Sequence, residues 1–67
     1  MPSQRDVMRD LFRRHRGDEG AIIREYAAAE RRGEVSRDSN EYELSAEDYA
    51  RRLLEDARKK GWIRGFG

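Results

Sequence analysis

Ser45-Ala46-Glu47-Asp48-Tyr49-Ala50-Arg51-Arg52-Leu53-Leu54-Glu55-Asp56-Ala57-Arg58-Lys59-Lys60-Gly61 spells out one helix together with both of its ends. Ser45 stands where an N-cap belongs, because its hydroxyl can accept from a backbone amide of the first turn that has no partner inside the helix. Asp48 holds the capping-box position in place of Glu, and Leu44 can staple onto Tyr49. Tyr49, Ala50, Leu53, Leu54 and Ala57 recur at the spacing that gathers them on one side of a 3.6-residue turn. Glu47 and Asp48 fall in the first turn and Arg58, Lys59 and Lys60 in the last, the order the helix dipole favours. Gly61 supplies the left-handed exit. The outer face alternates in sign at i, i+4 (Glu47 with Arg51, Asp48 with Arg52, Glu55 with Lys59, Asp56 with Lys60). Each such pair contributes about 0.2–0.5 kcal/mol.

Two more helices precede it. Residues 4–16 follow Ser3, a second N-cap, with Asp6 in the first turn and Gly17 as the expected exit. Val7, Met8, Leu11, Phe12 and His15 share one arc there. Residues 19–32 follow Asp18 and stop before Gly33, with Ile22, Ile23, Tyr26, Ala27 and Ala29 on the apolar side. Ala27-Ala28-Ala29 combines high helix propensity with little bulk, so a neighbouring helix can approach closely. Glu30 intrudes on this arc, either as a rim carboxylate reaching solvent or Arg37, or as a partly buried ion pair that fixes register. The third helix covers residues 46–60. Glu34-Val35-Ser36 and Trp62-Ile63-Arg64 can form two very short extended pieces that pair (residues 34–36 and 62–64), an element too small to stand without helices beneath it. The expected fold class is therefore all-α, a single three-helix domain over residues 1–67. Its expected core is Val7, Leu11, Phe12, Ile22, Ile23, Tyr26, Leu53, Leu54, Trp62 and Ile63.

Composition narrows the function classes. The chain has 67 residues and no cysteine, so it builds one small core without disulfides or a thiolate metal site. Charged residues make up 43%, yet the net charge is only +1. Their distribution is uneven: residues 1–17 hold five arginines against Asp6 and Asp10, and residues 34–49 hold Arg37 against six carboxylates. Residues 50–67 hold six basic groups against Glu55 and Asp56. Basic ends around an acidic middle suit an oppositely charged partner, which includes a second copy of the chain as a homodimer. Arg and Asp interrupt every apolar stretch, so neither a membrane span nor a signal peptide is expected, and the expected location is cytoplasmic. Arginine outnumbers lysine 13 to 2, which hints at a high-GC bacterial or phage genome.

Catalysis finds no foothold: no catalytic, cofactor-binding or metal-binding residues are assigned, and no cofactor is expected. His15 is the only histidine and reads as a core-edge residue. No phosphate-cradling glycine loop occurs. The functional lead is instead a stripe of arginines. Arg5, Arg9, Arg13 and Arg16 fall within about 80° of helical arc and span roughly 16 Å. Arg5/Arg9 and Arg9/Arg13 are like charges at i, i+4, each costing an isolated helix a few tenths of a kcal/mol. A polyanion offsets that cost. A second basic patch joins Arg58, Lys59, Lys60 and Arg64 with Trp62 and Phe66, and aromatics interleaved with cations can hold phosphates and stack on bases.

Leu53-Leu54 followed by Lys60-Gly61-Trp62-Ile63 resembles the passage from a recognition helix into a first wing strand in helix-turn-helix and winged-helix DNA-binding domains. Gly33-Glu34-Val35, Ser39-Asn40, Tyr49-Ala50-Arg51-Arg52-Leu53 and Lys60-Gly61-Trp62 also resemble short accessory segments of bacterial phage-related and HNH-nuclease proteins. These resemblances imply DNA binding. The sequence departs from a standard reader in two places. The connection before the third helix exceeds a tight turn of 3–4 residues. The front of that helix carries Glu47 and Asp48, preceded by Glu41 and Glu43, which repel phosphate. The expected function is a small non-enzymatic nucleic-acid-binding module that holds DNA by its backbone. The alternative is a protein-interaction module, either basic helix one on an acidic surface or the acidic middle acting as a nucleic-acid mimic of the kind a phage-type inhibitor uses.

Overall fold

Each of the three expected N-caps closes its helix. In the computed structural model, which describes residues 2–37 and 43–63, Ser3 Oγ accepts from Asp6 N at 3.1 Å, Asp18 Oδ1 from Ala21 N at 3.3 Å and Ser45 Oγ from Asp48 N at 3.1 Å. The helices they start are α1 (Gln4–Arg14), α2 (Glu19–Arg31) and α3 (Ala46–Lys60). The chain is an all-α three-helix domain, and no strand occurs among the described residues.

All three helices end with the same pair of backbone hydrogen bonds, a 6→1 bond enclosing a 5→2 bond. At α3 they run Trp62 N to Ala57 O (2.9 Å) and Gly61 N to Arg58 O (3.3 Å). At α2 they run Glu34 N to Ala29 O (2.9 Å) and Gly33 N to Glu30 O (3.0 Å). Gly61 and Gly33 take the left-handed position, with φ of 74° and 76°. These closures explain why the small two-stranded element expected at residues 34–36 and 62–64 does not form among the described residues. Val35 and Ile63 are buried because the capping turns fold them back onto their own helices' core, while Arg64 lies outside the described residues.

At α1 the motif sits one residue earlier than expected. Gly17 N bonds to Phe12 O (3.0 Å) and Arg16 N to Arg13 O (3.4 Å), so Arg16, with φ of 52°, takes the left-handed position. The helix ends at Arg14, two residues short of the expected end at 16, and Arg16 is in the turn. Gly17 comes next, also at positive φ (80°), where an added Cβ would stand 3.4 Å from the Phe12 ring. α2 ends one residue before its expected limit at 32.

α2 and α3 make the broadest contact, and α1 closes over them. Ion pairs clamp the α2–α3 pair at both ends. Arg31 grips Glu47 with 2.6 and 2.8 Å contacts, and Arg58 pairs with Glu19. The end of one helix thus meets the start of the other, so the two run antiparallel. Of the four expected i, i+4 pairs, the first two carboxylates choose otherwise: Glu47 turns to Arg31 and Asp48 pairs with Arg51 at i, i+3.

The core contains Met8, Leu11, Phe12, Ile22, Ile23, Tyr26, Ala29, Val35, Tyr49, Ala50, Leu53, Leu54, Ala57 and Ile63, with Val7, Leu44 and Trp62 half-buried against it. Gln4 is the one described polar residue buried with them, and the Tyr49 hydroxyl donates to its Oε1, tying the start of α1 to α3. Glu30 resolves to the ion-pair alternative. Arg37 reaches it through Nε (2.9 Å) and Nη2 (3.0 Å), donates to the Leu44 carbonyl (2.9 Å) and lies 4.5 Å over the Tyr49 ring.

Candidate nucleic-acid interface

Arg5, Arg9 and Arg13 project from the outer face of α1 because Met8, Leu11 and Phe12, on the opposite arc, are drawn into the core. Each is exposed and has no ion pair with another described residue. The capping turn of α3 then brings its last residues against this face. Gly61 reverses the chain, Ile63 plugs into the core, and Trp62 between them is left half-buried. A cleft of about 350 Å³ results, lined by Arg5, Arg9, Arg13, Lys60, Gly61, Trp62 and Ile63. Lys60 Nζ stands 5.4 Å from the centre of the Trp62 ring, a cation–π contact that positions both side chains at the rim.

Part of each expected basic patch therefore shares one surface, Arg5, Arg9 and Arg13 from the first with Lys60 and Trp62 from the second. Arg16 has left the helix and does not line the cleft, since the left-handed turn carries it off the stripe. Arg58 is turned toward Glu19 in the α2–α3 clamp. Lys59 is exposed outside the cleft. Arg64 and Phe66 lie outside the described residues. Trp62, expected beside the second patch, lines the cleft, and Gly61 and Ile63 join it. Gly61 at the helix end was the only sequence signal for these two.

Among the described residues, the cleft's lining contains four cationic side chains and no carboxylate. Low-curvature surfaces disperse like charges, whereas a concave wall of one sign focuses field and concentrates an oppositely charged ligand. The groove between α1 and α2 makes the contrast. Its volume is about 320 Å³, and its lining includes Asp6, Asp10, Glu25 and Glu34 beside Arg14 and Arg32. Its arginines are already engaged: Arg14 with Asp10 (2.7 Å) and Glu25 (3.4 Å), and Arg32 with Glu34 (2.7 Å). The Arg32 hydrogen bond holds the Glu34 carboxyl below its ordinary range, and the Glu34 hydrogen bond in turn raises the Arg32 guanidinium.

The acidic surface is also partly spent inside the molecule. Arg31 hydrogen-bonds Glu47 and holds its carboxyl below the ordinary carboxylate range, and Asp48 is paired with Arg51. Asp38 and Glu41 lie outside the described residues. His15 caps the end of α1, with Nε2 3.1 Å from Glu25 Oε1. Among the described residues no group of three or more His, Cys, Asp or Glu side chains is placed to hold a metal ion. No described helix is long and apolar enough to cross a membrane. No known protein family, curated protein or solved structure matches this chain.

Proposed function

We propose that this chain is a small non-enzymatic nucleic-acid-binding module that holds the DNA backbone through Arg5, Arg9, Arg13 and Lys60. One observation carries the reading: these four cations line a common cleft with no carboxylate among its described residues, while Arg14, Arg31, Arg32, Arg37, Arg51 and Arg58 are each paired within the fold. Guanidinium groups suit this task because each presents a planar fork of donors to phosphate oxygens. The reading head of a helix-turn-helix protein lies at the front of its recognition helix. Here the front of α3 carries Glu47 and Asp48, so the module grips the backbone from α1 and the end of α3 and does not read bases in the major groove. A cytoplasmic location belongs to the same reading.

The acidic-mimic alternative is less favoured because Arg31 and Arg51 already neutralise two of its carboxylates. Fluorescence titration against random-sequence DNA at two salt concentrations tests the proposal. Affinity should fall steeply with salt, and each phosphate contact removed by Arg9→Glu or Arg13→Glu should lower the salt slope by about one. The double variant should lose most of the affinity while keeping its helical circular dichroism. No binding by the native protein at low salt would turn the assignment to an acidic protein partner.

A further inference from the structure

The composition of the cleft points to a narrower ligand than a generic polyanion, an inference that rests on the nucleic-acid reading. Cations line it from α1 and the end of α3, and Trp62 lies among them. Phosphates of any nucleic acid can reach Arg5, Arg9 and Arg13, which advance about 6 Å per step along the helix. That step is comparable with one sugar–phosphate unit of an extended strand. A base, however, can lie on an indole only after it has left its pairing partner and its stack. The cleft is also concave and, at about 350 Å³, has room for a nucleotide. We infer that it takes a single-stranded segment, with phosphates along the three arginines and one base on Trp62. Lys60, on a flexible stem beside the ring, moves from the indole to a phosphate when the base arrives.

Trp62 is the only tryptophan, so its emission reports on the cleft directly. The native protein is titrated with a short oligothymidine, an abasic strand of the same length and a duplex of matched charge. Oligothymidine should quench Trp62 and bind about tenfold more tightly than the abasic strand, the difference one stacked base makes. Its affinity should fall with salt at a slope of about −2 to −3, as three or four phosphate contacts to a single strand require. Trp62→Phe should retain the preference over the abasic strand and Trp62→Leu should lose it. If Trp62→Leu fails to fold, the abasic comparison on the native protein still decides. Arg24→Ala, an exposed arginine outside the cleft, should change nothing. Equal binding of thymidine and abasic strands overturns the single-strand inference, as does duplex binding of equal strength with Trp62 emission unchanged. Either result leaves backbone binding intact. Absence of binding by all three at low salt overturns both.

Discussion

Arg16 occupies a backbone conformation that glycine normally fills. At φ of 52° its Cβ crowds the neighbouring carbonyl, a cost of roughly 1 kcal/mol that a residue without Cβ avoids. Gly17 stands one position too late to relieve it, because the hydrogen bond from Gly17 N to Phe12 O fixes the motif's register, and burial of the Phe12 ring fixes Phe12. Arg16→Gly is therefore expected to stabilise the fold by about 1 kcal/mol, visible as a rise in Tm of about 4–8 °C for a domain of this size. Arg16 does not line the basic cleft, so DNA affinity should change far less than in Arg9→Glu. A lower Tm for Arg16→Gly would mean that the guanidinium makes contacts that outweigh the backbone cost.

At the scale of elements, Arg37 ties the exit of α2 to the approach to α3. Its guanidinium holds Glu30 on α2, the Leu44 carbonyl and the face of Tyr49, with side-chain exposures of only 9% for Arg37 and 17% for Glu30. Removing one partner strands a carboxylate that water barely reaches. Arg37→Ala should cost about 2 kcal/mol, whereas replacing both, as Glu30→Leu with Arg37→Met, should recover most of that loss in urea denaturation. A double variant no more stable than Arg37→Ala would show that the Leu44 and Tyr49 contacts dominate. Elements of this kind were readable in the sequence to different degrees. Ser3, Asp18 and Ser45 announced the helix starts because capping is a local event, decided within four residues. Gly33 and Gly61 marked two of the exits, while the exit of α1 was blurred, since Arg16 or Gly17 can each end it and only the packing of Phe12 chooses. Val35 looked like a strand residue because burial and extension give the same apolar signal over three positions. The cleft was legible only in parts, as two basic patches. Its lining comes from residues 5–13 and 60–63, and no local pattern says that the α3 exit folds against α1.

For the whole molecule, carboxylates absent from the described lining of the basic cleft hold the helices together elsewhere, and acid should separate these roles. Glu47 bridges the start of α3 to the end of α2, and its hydrogen bond from Arg31 lowers its carboxyl below the ordinary value of 4.5. A carboxyl lowered in the folded state stabilises the fold above its unfolded value, and that contribution disappears as pH falls through the folded value. Arginines stay charged throughout, so acidification also removes the carboxylates that screen 13 guanidinium groups from one another. Tm should accordingly fall between about pH 5 and about pH 3, and the fall should be shallower in Glu47→Gln, which has no proton to gain at that position. Added salt should reduce the general repulsion and, because the Arg31–Glu47 pair is exposed, should also narrow the difference between native and Glu47→Gln chains. If the two acid profiles coincide even at low ionic strength, the Arg31–Glu47 clamp contributes nothing, and α2 and α3 are held by their shared core and the Arg58–Glu19 pair.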